Sequence, residues 1–185
     1  MEHQEPASAG TPRSARRAKG ASAPVTTLPR EILFPQGLVG CPDWQRFHLL
    51  PEPFETCGEL VSLDHPGIGL MVADPAWLGV NYQFELDEDD VDALRLEQAE
   101  DARIFCILTV HRDQPAIVAN LAGPLILNWP EGVGRQVILD HLAYPLRAPV
   151  IAGEAARAVI DALAAADEPS PADPSPAALA PMKGA

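Results

Sequence analysis

The sequence predicts a mostly β protein: a small antiparallel β-barrel-like domain with one or two short helices, flanked by disordered tails. Three observations carry that expectation. Between about residues 25 and 150 the chain breaks into short runs rich in Val, Ile, Leu and Phe, punctuated by Gly, Pro, Asn and Asp. That is the spacing of many short strands joined by turns. Within it, "VNYQFEL" alternates Val80, Tyr82, Phe84 and Leu86 with Asn81, Gln83 and Glu85, as a strand with one wet face does. Finally, composition shifts towards Ala, Ser, Gly and Pro at both ends, where apolar surface is too scarce to offset the entropy of ordering.

Residues 1–24 are Ala-, Ser-, Gly-, Pro- and Arg-rich without apolar periodicity, and are expected to form a disordered basic extension. Strands are expected at Val25–Phe34, Phe47–Leu50, within Glu59–Ala73, and at Val80–Leu86, Ala102–Val110, Ala116–Leu121, Leu125–Leu127 and Gln136–Leu139. The turns between them are Pro35-Gln36-Gly37, Cys41-Pro42-Asp43, His65-Pro66-Gly67, Asp74-Pro75 and Gly132-Val133-Gly134. One helix interrupts the strands. In "DEDDVDALRLEQ" Asp87 can cap the first-turn amides, while Glu88, Asp89 and Asp90 complement the positive end of the helix dipole. The four successive acids lack the alternating ligands and central glycine of a calcium loop. Residues 25–150 thus form the core domain. Residues 151–185 hold a helix, Gly153–Glu168, with Val159, Ile160 and Leu163 on one stripe, and then a proline-rich tail.

Charge narrows the partners. Residues 1–30 carry five basic and two acidic side chains, whereas residues 31–150 carry six Arg against nineteen Asp or Glu. A core that acidic repels phosphate, so direct nucleic-acid binding by it is not expected, and a basic protein partner is easier to accommodate. No apolar run approaches the ~18 residues that span a bilayer, so no membrane association is expected. With no apolar leader in the first thirty residues, and three Cys (Cys41, Cys57, Cys106) in no metal-like spacing, cytoplasm is the simplest location.

Catalytic chemistry is thin. Asp64-His65, Asp74, and His111 with Asp113 are the groups from which a metal site could be drawn on paper. There is no His pair at helical spacing, no Ser in a strained elbow and no Gly-rich loop opening a helix. Pro66-Gly67 makes His65 part of a turn, and Cys106 inside "RIFCILTV" reads as core. No enzyme activity, metal or cofactor is expected.

Five stretches, taken together and in order, resemble the flagellar assembly factor FliW family. They are "ILFPQGLVG" (Ile32–Gly40), "LVSLDHPGIGLMVADP" (Leu60–Pro75), "YQFELDEDD" (Tyr82–Asp90), "NLAGPLILN…GRQVIL" (Asn120–Leu139) and "YPLRAPV" (Tyr144–Val150). The resemblance covers about Leu28 to Val150. It implies a small, largely β, barrel-like protein without enzyme activity. Such a protein binds flagellin in the cytoplasm and, once flagellin is secreted, binds and antagonises the RNA-binding translational repressor CsrA. The sequence departs from the family pattern at Thr56–Glu59, at Trp129-Pro130-Glu131 and in both extensions.

On this reading Phe34, Pro35, Gly37, Asp74, Pro75, Asn120, Pro124, Asn128 and Gln136 are family features with structural roles. The asparagines are expected to satisfy backbone groups at strand ends, and Gly123-Pro124 to break a strand. The partner surface is expected to draw on Leu38, on Asp87, Glu88, Asp89, Asp90 and Asp92, and on Trp129. For Trp129 two readings stay open, an exposed interface anchor or a ring packed back onto the body. Two other functions compete: a small-molecule-binding β-barrel, and a metal-dependent enzyme built on His65 and His111.

Overall fold

The computed structural model describes residues 30–51, 56–139 and 143–166. The basic extension, residues 25–29 of the expected first strand and the proline-rich tail lie outside these residues. Among the described residues the chain divides into two compact units, residues 30–108 with 119–148, and residues 109–118 with 149–166.

In the first unit seven strands close on themselves. β1 (Arg30–Leu33), β2 (Arg46–Pro51), β3 (Cys57–Ser62) and β4 (Gly69–Ala73) form a meander of antiparallel neighbours. β5 (Ala102–His111) pairs antiparallel with both β4 and β7 (Leu125–Asn128), and β7 with β8 (Val133–Gln136). The ring is completed by β1 and β8, which pair in parallel at Leu33 and Val133. The small antiparallel barrel-like domain expected from the sequence is what forms, with this one pairing of the ring as its exception. The parallel contact arises because the chain reaches β8 from a hairpin with β7, which fixes its direction before it meets β1. Closure leaves these strands without the free edges that template aggregation.

The interior is filled by side chains. Ile32, Phe34, Leu38, Phe47, Leu49, Leu60, Val72, Leu125 and Leu127 form one buried cluster, with Trp44, Leu70, Phe105, Ile107 and Trp129 packed against it. Phe34 and Phe47 meet edge to face at 5.7 Å between centroids, the arrangement that ring quadrupoles favour. Gly134 lies on β8 where a Cβ would sit 2.6 Å from the Phe34 ring and 2.8 Å from Leu127. A glycine is needed there for close approach.

Two expected strands shift. Tyr82, Phe84 and Leu86 are buried in alternation with exposed Asn81, Gln83 and Glu85, yet residues 80–86 join no ladder and only Glu85 makes a bridge. The amide of Gln83 instead donates to the Tyr144 hydroxyl at 3.0 Å. The strand expected at Gln136–Leu139 lies at Val133–Gln136, because the turn falls earlier, over residues 129–132. There the Gly132 amide reaches the Asn128 carbonyl at 2.9 Å, with Gly132 at φ +67°. Val137 and Leu139 still donate to the carbonyls of Pro124 and Ala122.

The expected acidic helix is α1 (Glu88–Leu94), with Leu94 buried and Leu96 buried just beyond it. In the second unit, β6 (Ala116–Ala119) lies between the end of β5 and β9 (Ala148–Ala152), a strand the sequence reading did not anticipate. α2 (Gly153–Ala166) follows, burying Ala156 and Ile160 one turn apart and exposing Val159.

Candidate functional site

The loop after β1 is held by its own backbone. Gly37, at φ +68°, donates to the Phe34 carbonyl at 2.9 Å, closing a tight turn over Pro35 and Gln36. Leu38 and Cys41 then exchange two backbone hydrogen bonds of 3.1 and 2.8 Å. That leaves Val39 and Gly40, at φ +81°, as a two-residue tip. The Leu38 side chain points into the core and is 6% exposed, while Val39 is 60% exposed. Leu38, expected on the partner surface, is instead a core side chain: side chains alternate along an extended backbone, and it is Val39 that meets solvent.

α1 forms one wall beside this loop. The Asp87 carboxylate accepts from the Asp90 amide at 2.7 Å, capping the helix as its sequence predicts. Glu88, Asp89 and Asp92 are exposed, as is Asp87, but Asp90 is buried and ion-pairs with the Arg135 guanidinium. Burial pushes the Asp90 carboxyl above the usual carboxylate range, and Arg135 opposes that shift. Asp90 is thus a structural link rather than a surface charge. Arg135 Nη1 also donates to Gln36 Oε1 at 2.5 Å, so one guanidinium joins helix, strand and loop. The helix ends at Arg95, a left-handed residue at φ 54°. Buried Asn128 donates from Nδ2 to the carbonyls of Leu94 and Arg95, each at 2.9 Å, and accepts from the Glu131 amide. These orphan helix carbonyls are thereby satisfied.

Between loop, helix and β8 lies an open groove of about 430 Å³, lined by residues 35–39, Asp92, Ala93, Arg95 and residues 134–136. Gln136 stitches its floor, accepting from the Val39 amide at 3.0 Å and donating to the Gly123 carbonyl at 3.1 Å. Its lining contains no Ser, Cys, His or Lys. It offers apolar contact, amides and charge.

The remaining expected residues lie elsewhere. Asp74 accepts from the Ala76 amide at 2.7 Å and opens the turn that carries Pro75. Asn120 Oδ1 accepts from Gly123 at 2.9 Å, and Pro124 is fully buried beside it in sequence. Trp129 packs half-buried against the core cluster with the Arg30 guanidinium 4.6 Å from its ring centroid, a cation–π contact. Arg30 also donates to the Trp129 and Pro130 carbonyls. Of the two readings for Trp129, the packed ring describes its position. Asp64 accepts from the Arg46 amide at 2.8 Å and from its guanidinium at 3.0 Å, contacts that hold its carboxyl below the usual range. The Cys106 thiol is pushed up to about 11 by burial. Beside it the Tyr82 hydroxyl, raised by burial, donates to the Leu121 carbonyl at 2.8 Å. Among the described residues no three His, Cys, Asp or Glu side chains come together as a metal site, and no helix is long and apolar enough to cross a membrane.

The groove's αL arginine and its exposed Val39 had no clear trace in the sequence reading. "FPQGLV" marked the loop, but which of its apolar residues faces outward depends on a two-residue tip that no periodicity reports.

Comparison with known proteins places this architecture. The family model described as FliW protein matches residues 21–150. A flagellar assembly factor FliW of Clostridium beijerinckii is 33% identical over 121 residues, 65% of this chain and 86% of the relative. The Bacillus licheniformis factor of the same name is 34% identical, covering 67% and 87%. A crystal structure of the flagellar assembly factor FliW superposes with a TM-score of 0.60 at 26% identity, over 67% of this chain and 87% of that one. The chain, a filled β-barrel with this groove on its wall, belongs to the FliW family of flagellar assembly factors.

Proposed function

We propose that the protein works by binding alone, in the cytoplasm. It holds flagellin; when flagellin is secreted, the freed factor binds CsrA and lifts that repressor's hold on flagellin synthesis. Membership of the FliW family carries the reading. The groove and the acidic face of α1 supply two chemically distinct surfaces that suit it, one mixed and partly apolar, the other anionic. A partner switch of this kind is governed by differences of affinity and concentration. No catalytic step is required. The barrel interior is filled by Phe34, Phe47, Leu60, Leu125 and Leu127, so no observation favours a small-molecule barrel.

The test uses the full chain with flagellin and CsrA from the same organism. Calorimetry should show a one-to-one complex with each, and the protein should release RNA from CsrA until flagellin is added. Absence of both complexes at tens of micromolar protein would overturn the reading.

A further inference from the structure

The residue that ends α1 is unusual for its place. Arg95 adopts φ 54° and ψ 38°, a left-handed conformation that a Cβ disfavours and glycine adopts freely. Its backbone needs nothing from its side chain. The Arg95 amide donates to Asp92 at 3.0 Å, and Asn128 holds its carbonyl at 2.9 Å. Glycine would satisfy the same geometry at less cost. The long side chain is exposed and lines the groove.

Charge distribution adds a second, independent observation. Residues 31–150 hold six Arg against nineteen acids, yet two of those six, Arg95 and Arg135, line this groove with Asp92 as its only acid. Arg135 is matched by Asp90. Arg95 makes no ion pair among the described residues. Arg95 is therefore the cation of this lining left without a carboxylate partner, with exposed Val39 as the groove's apolar edge.

We infer that the groove takes an acidic peptide segment of a protein partner, a carboxylate of that segment pairing with the Arg95 guanidinium and an apolar side chain lying on Val39. Guanidinium and carboxylate match in shape and can bond through two parallel N–H···O contacts. The neighbouring acids, Asp92 in the groove among them, penalise a carboxylate placed away from the guanidinium, so Arg95 fixes the segment's register. This inference deepens the proposed function by naming the chemistry of what sits in the groove. A basic partner would be directed to the acidic face of α1 instead.

The experiment pans a displayed random peptide library against the full chain and, in parallel, against Arg95→Gly, with thermal unfolding of both. The wild type should enrich sequences bearing Asp or Glu beside an apolar residue. Synthetic versions of these should bind Arg95→Gly at least tenfold more weakly, bind Arg95→Lys at intermediate strength, and weaken likewise when their acids become Asn or Gln. Arg95→Gly should unfold at the same temperature as wild type or higher, since the backbone is relieved. Peptides without acids, or equal binding by Arg95→Gly, would overturn the inference. So would a lower unfolding temperature for Arg95→Gly, which would make the side chain structural. Competition by inorganic phosphate at the same concentration as peptide would show a simple anion site, and self-association lost in Arg95→Gly a second copy as occupant; either would overturn it. If acidic peptides bind in this way but flagellin does not, the proposed partner fails and the groove chemistry stands.

Discussion

Gly37 and Cys106 illustrate how much a single position can require. Gly37 sits at φ +68° with the backbone of Cys41 and Pro42 where a Cβ would go. Gly37→Ala adds backbone strain and a contact with rigid carbonyl groups, so a loss of roughly 1–3 kcal/mol is expected. Urea denaturation measures it, and an unchanged midpoint would mean that the loop yields without cost. Cys106 makes the opposite point. With its thiol pushed up to about 11, it stays protonated at pH 8, and thiolate is the reactive form. In a thiol-labelling time course at pH 8, Cys106 should react only as fast as the protein opens, well after half-buried Cys41. Labelling at comparable rates would show the core to be open. At this scale the sequence was partly legible. Gly37 announced a turn and Cys106 a core position, because glycine content and a flanking apolar run are local signals. Leu38 and Val39 are both apolar, and only the bonds between Leu38 and Cys41 decide which of them faces water.

Elements show why some patterns were readable and others were not. α1 was legible because capping is local: Asp87 needs only the amide three residues on. Asp87→Ala should cost about 1 kcal/mol, while Asp87→Asn should retain most of the cap. If the two unfold alike, the cap contributes nothing. β5 was equally clear, since the apolar run Ile104–Leu108 inside its ten residues fits few alternatives. The stretch from Tyr82 to Leu86 was legible in burial but not in pairing. Alternation reports which side chains are covered, whereas a ladder depends on a neighbour that can lie far along the chain. Here the Gln83 amide is met by Tyr144, a residue 61 positions away. The shift of β8 has a similar cause: Gly134 resembles a turn residue in sequence, yet its role is to make room for Phe34. That information is carried by a ring at the far end of the domain's sequence, not by the neighbours of Gly134.

For the whole molecule, charge acts over distance and so separates the two proposed partners. Glu88, Asp89 and Asp92 are exposed on α1, whereas Asp87 is committed to the cap and Asp90 to Arg135. Neutralising all five would confuse steering with folding. Glu88→Gln, Asp89→Asn and Asp92→Asn together change only the outward field. Exposed charges act mainly on encounter, screened over about 8 Å at physiological salt, while apolar contacts set dissociation. CsrA, which binds RNA and must present basic groups to do so, should therefore associate several-fold more slowly with the triple variant. Its rate should also depend less on salt, with dissociation little changed. A partner segment that presents carboxylates to Arg95 should respond in the opposite direction. Asp92 shares the groove with Arg95, so its loss removes a repulsion, and flagellin should associate with the variant at least as fast as with wild type. Surface-based kinetics at two salt concentrations, run with both partners on one variant, separates the cases. Slowing of both would mean that α1 is a common contact surface rather than a steering field. Slowing of neither at low salt would leave its acids as a helix start in water.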